Sequence, residues 1–354
     1  MRNELTGFKK IGFHWDAPQA KVFRMNFYRL FAVWSAVAML TQAGQGEDAA
    51  PLTKPVAPAV LPGNGLAQHD FFYAGEARTR DMYLVREGEV VWAYHDSTGK
   101  GEISDAVRMA NGNILFAHQF GLTLITPEQE VLWNYDAPPH CEIHTAQPIG
   151  TNHVIFIQNG PAPKCFVANL ASGVLEKDFS LPVKNTNSTH GQFRHARLTE
   201  AGTYLVTHMD LGKVVEYDDS GKSIWSVDAP GAWSAERLPN GNTLICGKTV
   251  REVNPAGATV WRFTAADVPD YEFKSMQLAT RLPNGDTLIN NWVNEWNGKI
   301  DRATAPVQAL EIAPDKSVVW ALRSWKNPDL GPATTIQLLD ELSAPEQVHF
   351  GKIW

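Results

Sequence analysis

The sequence predicts an all-β chain, a β-propeller of six four-stranded blades closed by a C-terminal strand that completes the first blade. Three observations carry this. Residues 234–263 read as a four-stranded antiparallel meander: Leu238-Pro239-Asn240-Gly241-Asn242 supplies the positive φ angles of a tight hairpin, and Pro255-Ala256-Gly257 splits the last two runs. The closing phrase of that unit, Gly257-Ala258-Thr259-Val260-Trp261, recurs at 88–92 and 221–225 and, less closely, at 129–133 and 316–320; Lys177 stands in the Trp slot of 173–177. The closing positions from Trp133 onward lie 36 to 59 residues apart, a spacing that suits blades with loops of varying length.

Taken in order, the hydrophobic residue before each first turn is Met109, Ile149, Leu198, Leu238 and Leu282, which gives five full units. A sixth unit, ahead of Trp92, has runs at 70–75 and 82–86 but no first strand. Residues 334–340 read as a first strand with no blade following, so they are expected to complete blade one and remove the exposed edges. Seven blades is the alternative, if residues 57–60 form a first strand of their own. The recurring Trp is expected to pack between blades.

The chain has 354 residues, 44% hydrophobic and 19% charged, enough to bury a large core. A net charge of -7 without a Lys/Arg cluster excludes a general nucleic-acid surface. Arg29, the apolar run 30–40 and Thr41-Gln42-Ala43 read as a signal peptide, with Met25 as a possible start and an uncleaved anchor as the alternative. The expected organisation is therefore 1–43 upstream residues and signal peptide, 44–62 a disordered Pro/Ala-rich leader, and 63–354 one propeller domain. The protein is expected to be exported, to the periplasm or cell surface, with no membrane span once the signal is cleaved. Of three cysteines, Cys141 and Cys165 could pair, and no spacing suggests a metal site.

Functional residues are expected where the inner strands converge. Three positions before each anchor stand Ala106, Ala146, His195, Ala235, Ala279 and Ile336, so His195 breaks a small-residue slot. Two residues earlier, on the same strand face, stand Ser104, His144, Phe193, Trp233, Gln277 and Thr334, a polar and aromatic set suited to a binding mouth. With His190 and Arg194 nearby, His144 and His195 could bind an anion or exchange protons. Each could equally serve as a hydrogen-bonded structural residue of its own blade. Arg108, Arg197, Arg237 and Arg281 recur just before the anchors and read as inter-blade donors to carbonyls, with an anion site as the alternative. An insertion between Asn290 and Val307 carries Trp292, Trp296, Lys299 and Arg302; it is either a binding loop or a surface excursion whose tryptophans cover a blade.

At the closing phrases and at Leu-Pro-Asn-Gly-Asn/Asp (238–242, 282–286) the chain resembles the pyrroloquinoline-quinone-like β-propeller repeat family. Cys141-Glu142-Ile143-His144-Thr145-Ala146, His190-Gly191-Gln192-Phe193-Arg194 and Asn291-Trp292 carry a closer likeness to small exported propellers that are uncharacterised or assigned to surface layers. The likeness covers about residues 66–342 and implies architecture rather than activity. The quinone-dependent dehydrogenases among these repeats use adjacent cysteines and a calcium ion in a larger ring. This chain has no adjacent cysteines, so no cofactor, pyrroloquinoline quinone included, is expected. Arylsulfotransferases resemble the repeats too and use a transient sulfate-accepting histidine, whose motif no histidine here matches. The expectation is a binding protein for a small molecule, glycan or protein at His144, His190, Arg194, His195, Trp233, Gln277 and Trp292. A group-transfer or hydrolytic enzyme using the histidines is the second reading, and a scaffold the third.

Overall fold

Each repeat folds into a blade because its turns are cheap and its strands are graded in burial from one edge to the other. Blade five shows the pattern in Ser234–Arg237, Thr243–Cys246, Val250–Val253 and Thr259–Phe263, paired in that order. Gly241, at φ +82°, makes the first turn that Asn240-Gly241 predicts. Its second strand is buried on both faces, whereas the fourth turns alternate residues to solvent. In every blade the register of the outer pair shifts by one residue beside the closing position, a bulge that adds twist.

The computed structural model describes residues 57–75, 80–96, 101–296 and 298–343. They form six blades in a ring. The strand Ala333–Leu338 pairs antiparallel with Phe71–Gly75, with Tyr73 opposite Ile336, and so supplies the inner strand that blade one lacks. It also grips blade two, because the Gln337 side chain accepts from Arg108 N (2.9 Å) and donates to Arg108 O (3.1 Å). Residues 57–60 form no strand, which sets the blade count at six rather than seven. Residues 57–62, assigned from sequence to the leader, are placed along blades five and six: Ala57 and Leu61 pack on the core those blades share, and Pro62 O accepts from Ala321 N. Residues 1–56, with the expected signal peptide and most of the expected leader, lie outside the described residues.

A repeated clamp joins neighbouring blades. The Trp225 indole donates to Pro255 O of the next blade (2.8 Å) and Trp261 to Pro314 O (3.1 Å). Arg237 and Arg281, from the following inner strands, lie over Trp225 and Trp261 at 4.7 and 4.9 Å from the ring centres. Each arginine also pairs with a glutamate of the preceding blade, Arg237 with Glu216 and Arg281 with Glu252. At the closing seam Glu311 and Trp320 repeat the pattern, but His69 replaces the arginine, 2.9 Å from Glu311 and edge-on to Trp320. Between blades three and four, Lys177 reaches Asp219 in place of the indole. Cys141, Cys165 and Cys246 are all free, so the Cys141–Cys165 bridge is not formed.

Candidate functional site

One end of the ring opens into a mouth of about 350 Å³, lined by Glu102, Gln119, His190, Arg194, Trp233, Gln277, Trp292, Asn294 and Trp296 together with Gly101. Six of the ten arrive on an inner strand or the loop that enters one, whereas Gln119 follows the second strand Ile114–Ala117, and Trp292, Asn294 and Trp296 follow the second strand Thr287–Asn291. Trp233 immediately precedes Ser234–Arg237, and Gln277 lies in Met276–Arg281. His190 sits in the short 3-10 turn Thr189–Gly191 that leads into Phe193–Leu198, the strand carrying Arg194. The insertion of blade six reaches over the ring. Asn291 fixes its start by accepting from Lys274 N and donating to Glu272 O and Val307 O, while Val293, Ile300, Ala305 and Trp325 give the loop a small core. Trp292 and Trp296 are thereby held in the mouth.

Five of the seven residues singled out from sequence, His190, Arg194, Trp233, Gln277 and Trp292, therefore line one opening. His144 lies just behind it. The inner strand of blade three is broken into Glu142–Ile143 and Gln147–Ile149, and His144 occupies the break, 1% exposed. Its ring stands edge-on to His190, with centres 5.0 Å apart. Its Nε2 is 2.8 Å from Glu142 Oε2, and its Nδ1 is 2.9 Å from Ser104 Oγ and 3.1 Å from Glu102 Oε1. Glu142 also meets His190 Nδ1 at 2.8 Å. Burial acts to raise the Glu142 carboxyl, but the hydrogen bonds from the two imidazoles outweigh it and hold the group well below the usual carboxylate range.

His195 is placed differently from the expectation that it faces the mouth with His144. It lines neither the mouth nor the narrow cavity of about 50 Å³ that all six inner strands enclose around Ala106, Ala235, Ala279 and Ile336. Arg197 Nη2 lies 3.0 Å from its Nδ1, and Asp105 lies 3.7 Å away. Burial first, then the Arg197 charge, push the ring down to about 3, so it is neutral near pH 7. Asp105 is enclosed as well. Burial would raise its carboxyl, yet Arg197, His195 and the Ala146 N–H together lower it. Arg197 donates to the Ala196 carbonyl of its own strand, and its inter-blade partner is a carboxylate, Asp105 of blade two, rather than the carbonyl expected of the repeated arginines.

Sequence reasoning missed Glu102, Gln119 and Asn294 in the mouth. Glu102 and Asn294 lie outside the aligned strand slots, and Gln119 follows a second strand rather than preceding a first. Two mouth donors have no acceptor among the described residues: the Gln277 Nε2 amide, on a side chain 5% exposed, and the Trp292 Nε1–H. Arg194 lies over the Trp233 ring at 5.1 Å and donates to His190 Nε2 at 2.8 Å.

Comparisons with known proteins bear on the fold. No protein-family model matches the chain, and no curated protein matches it, so the likeness to the pyrroloquinoline-quinone-like repeats remains one of motifs. Among solved structures, a Bacteroides caccae protein of unknown function is similar at a TM-score of 0.67 and 24% identity, over 76% of this chain and 97% of its own. A streptogramin B lyase (TM-score 0.49, 12% identity, 75% and 85% covered) and virginiamycin B lyase from Staphylococcus aureus (0.48, 11%, 73% and 97%) also match. The likeness to the Bacteroides protein bears on the fold alone. Among the described residues no helix is long and apolar enough to cross a membrane.

Proposed function

We propose that the protein is an exported binding protein whose ligand, a small polyhydroxylated molecule such as a sugar or short glycan, seats in the central mouth. The observation that carries this reading is the pair of donors without acceptors, Gln277 Nε2 and Trp292 Nε1, set beside the indole faces of Trp233, Trp292 and Trp296. A buried donor left unmatched costs about 1–3 kcal/mol, so a ligand oxygen that matches it is favoured. A hydroxyl both accepts and donates, so a sugar can take these two hydrogen bonds and return others to Glu102 and the Gln119 carbonyl. The C–H face of a pyranose stacks on an indole, and a volume of about 350 Å³ suits a small ligand. His195, enclosed by Arg197 and Asp105, gives no support to group transfer through that ring.

The test is a thermal-shift and calorimetric screen over mono- and oligosaccharides, because a ligand bound only by the folded state raises its stability by mass action. A saturable rise in Tm is expected, lost in Gln277→Leu and Trp292→Ala variants whose ligand-free Tm matches the parent. If no sugar shifts the parent, or if both variants bind as well as it does, the reading fails.

A further inference from the structure

We propose that Glu102, His144 and His190 bind a divalent first-row transition-metal ion on the wall of the mouth, with Glu142 orienting both imidazoles behind it. The three residues belong to separate elements: the loop before blade two, the break in blade three and the turn before blade four. Their spacing of 42 and 46 residues resembles no metal motif, and only the ring closes them together. One ligand atom from each lies within 4.8 Å of the other two.

The hydrogen bonds fix which nitrogens face the site. A guanidinium only donates. Arg194 Nη2, 2.8 Å from His190 Nε2, therefore makes that nitrogen an acceptor and sends the Nδ1 proton to Glu142, 2.8 Å away. The same Glu142 oxygen takes the Nε2 proton of His144 at 2.8 Å. One carboxylate thus holds two imidazoles by their N–H groups, the arrangement that orients histidines around a metal and raises their basicity.

The nitrogen left on His144 is Nδ1, whose lone pair faces Glu102 Oε1 at 3.1 Å. Two acceptors at that distance repel unless a proton or a cation lies between them. Ser104 Oγ lies 2.9 Å from His144 Nδ1 and 3.1 Å from Glu102 Oε1, and its single hydroxyl proton can serve only one of the two. Ligand atoms 3.1 Å apart can share a metal at about 2.1 Å from each, with an angle of about 95°.

Burial strengthens the case: His144 is 1% and Glu102 7% exposed, so both meet a cation already stripped of water. His190, with a side chain 54% exposed, leaves a route in from the mouth. Two imidazoles and a carboxylate suit zinc, cobalt or manganese rather than calcium or magnesium, and the remaining coordination positions open toward the mouth. Arg194 is the competitor. Its hydrogen bond to His190 Nε2 must break for that nitrogen to take the metal, after which the guanidinium keeps its place over Trp233.

The inference shares the mouth and Glu102 with the sugar reading, and its test uses metal alone, so that either can fail without the other. The chelator-treated full chain is titrated with Zn²⁺ by calorimetry and with Co²⁺ by visible absorption. One equivalent of either metal is expected, with cobalt giving the d–d bands of a low-coordinate nitrogen/oxygen site. His190→Ala, at an exposed position, and Glu102→Gln should each weaken zinc binding at least about tenfold, and Glu142→Gln about 10–100-fold. Arg194→Gln should strengthen it by freeing Nε2, and Trp292→Ala should leave it unchanged. The proposal is overturned if zinc fails to bind stoichiometrically. It is equally overturned if His190→Ala and Glu102→Gln, folding with the parental Tm, bind zinc as the parent does.

Discussion

Blades five and three derive from the same repeat and diverge at two points. Blade five keeps its inner strand whole, closes with Trp261 and presents that ring to Arg281 and Pro314 of the next blade. Blade three breaks its inner strand between Ile143 and Gln147 and closes with Lys177, which makes one surface ion pair to Asp219. The break frees His144 and Thr145 from ladder pairing. Both then serve as side-chain partners across blades, His144 toward Glu102 and Thr145 toward Asp105. Regularity in this ring is spent on the seams, and polar chemistry collects where the repeat is interrupted.

The seams give the largest expected effect. Trp261→Ala should cost roughly 3 kcal/mol, because it removes a half-buried ring, its hydrogen bond and a stacked guanidinium. Lys177→Ala, at the equivalent slot of blade three, should cost less than about 1 kcal/mol, the ordinary range for an exposed ion pair. Urea denaturation of both variants measures the difference, and equal losses would remove the distinction between the two blades.

A second test concerns a histidine in an unbroken strand. If polar function collects at the break, His195→Ala should destabilise by about 1–3 kcal/mol through the stranded Asp105 and Arg197, while any mouth ligand binds with parental affinity. Weakened binding at unchanged Tm would move the chemistry onto blade four.

The smallest effect is a slope. The folded His195 ring takes a proton only at about pH 3, against an ordinary value of 6.5, so on acidification the unfolded chain binds that proton first. Its contribution is complete above pH 6.5 and is lost as pH falls toward 3. Asp105 acts in the same direction at lower pH: its depressed pKa adds stability that is present above 3.8 and lost as pH falls through the folded value. His195→Gln should therefore flatten the stability–pH curve between pH 6.5 and 3, by one proton fewer taken up on unfolding. Denaturation curves at stepped pH would show it, and an unchanged slope would mean that His195 titrates normally.

What the sequence revealed, and what it hid, follows the same division. The ring, the blade count and its closure by a C-terminal strand, read at 334–340 and found at 333–338, could be read from turns and closing phrases, because those features are local and repeated. His190 and Arg194 were named for their closeness to His144 and His195, Trp292 for the insertion that carries it, and Trp233 and Gln277 by alternation along the inner strands. Alternation misplaced His195, since a slot alignment cannot register that Arg197 of the same strand and Asp105 of blade two close over the ring. Glu102 escaped notice for the opposite reason: it precedes its strand, so no repeat position marked it. The glutamates of the clamps, Glu216, Glu252 and Glu311, went unremarked because the cationic or imidazole partner of each lies on the next blade or across the closing seam.

The shared first blade also sets an order of events. Synthesis delivers residues 71–95 before any other strand of the ring, yet their inner neighbour, Ala333–Leu338, is made after all five other blades. Blades two to six can form as the chain emerges, while blade one waits with an open edge through nearly the whole of translation. The earliest part of the ring is thus secured by the latest, and a ribosome that stops short of residue 333 releases a chain whose first blade stays unfinished and open to proteolysis.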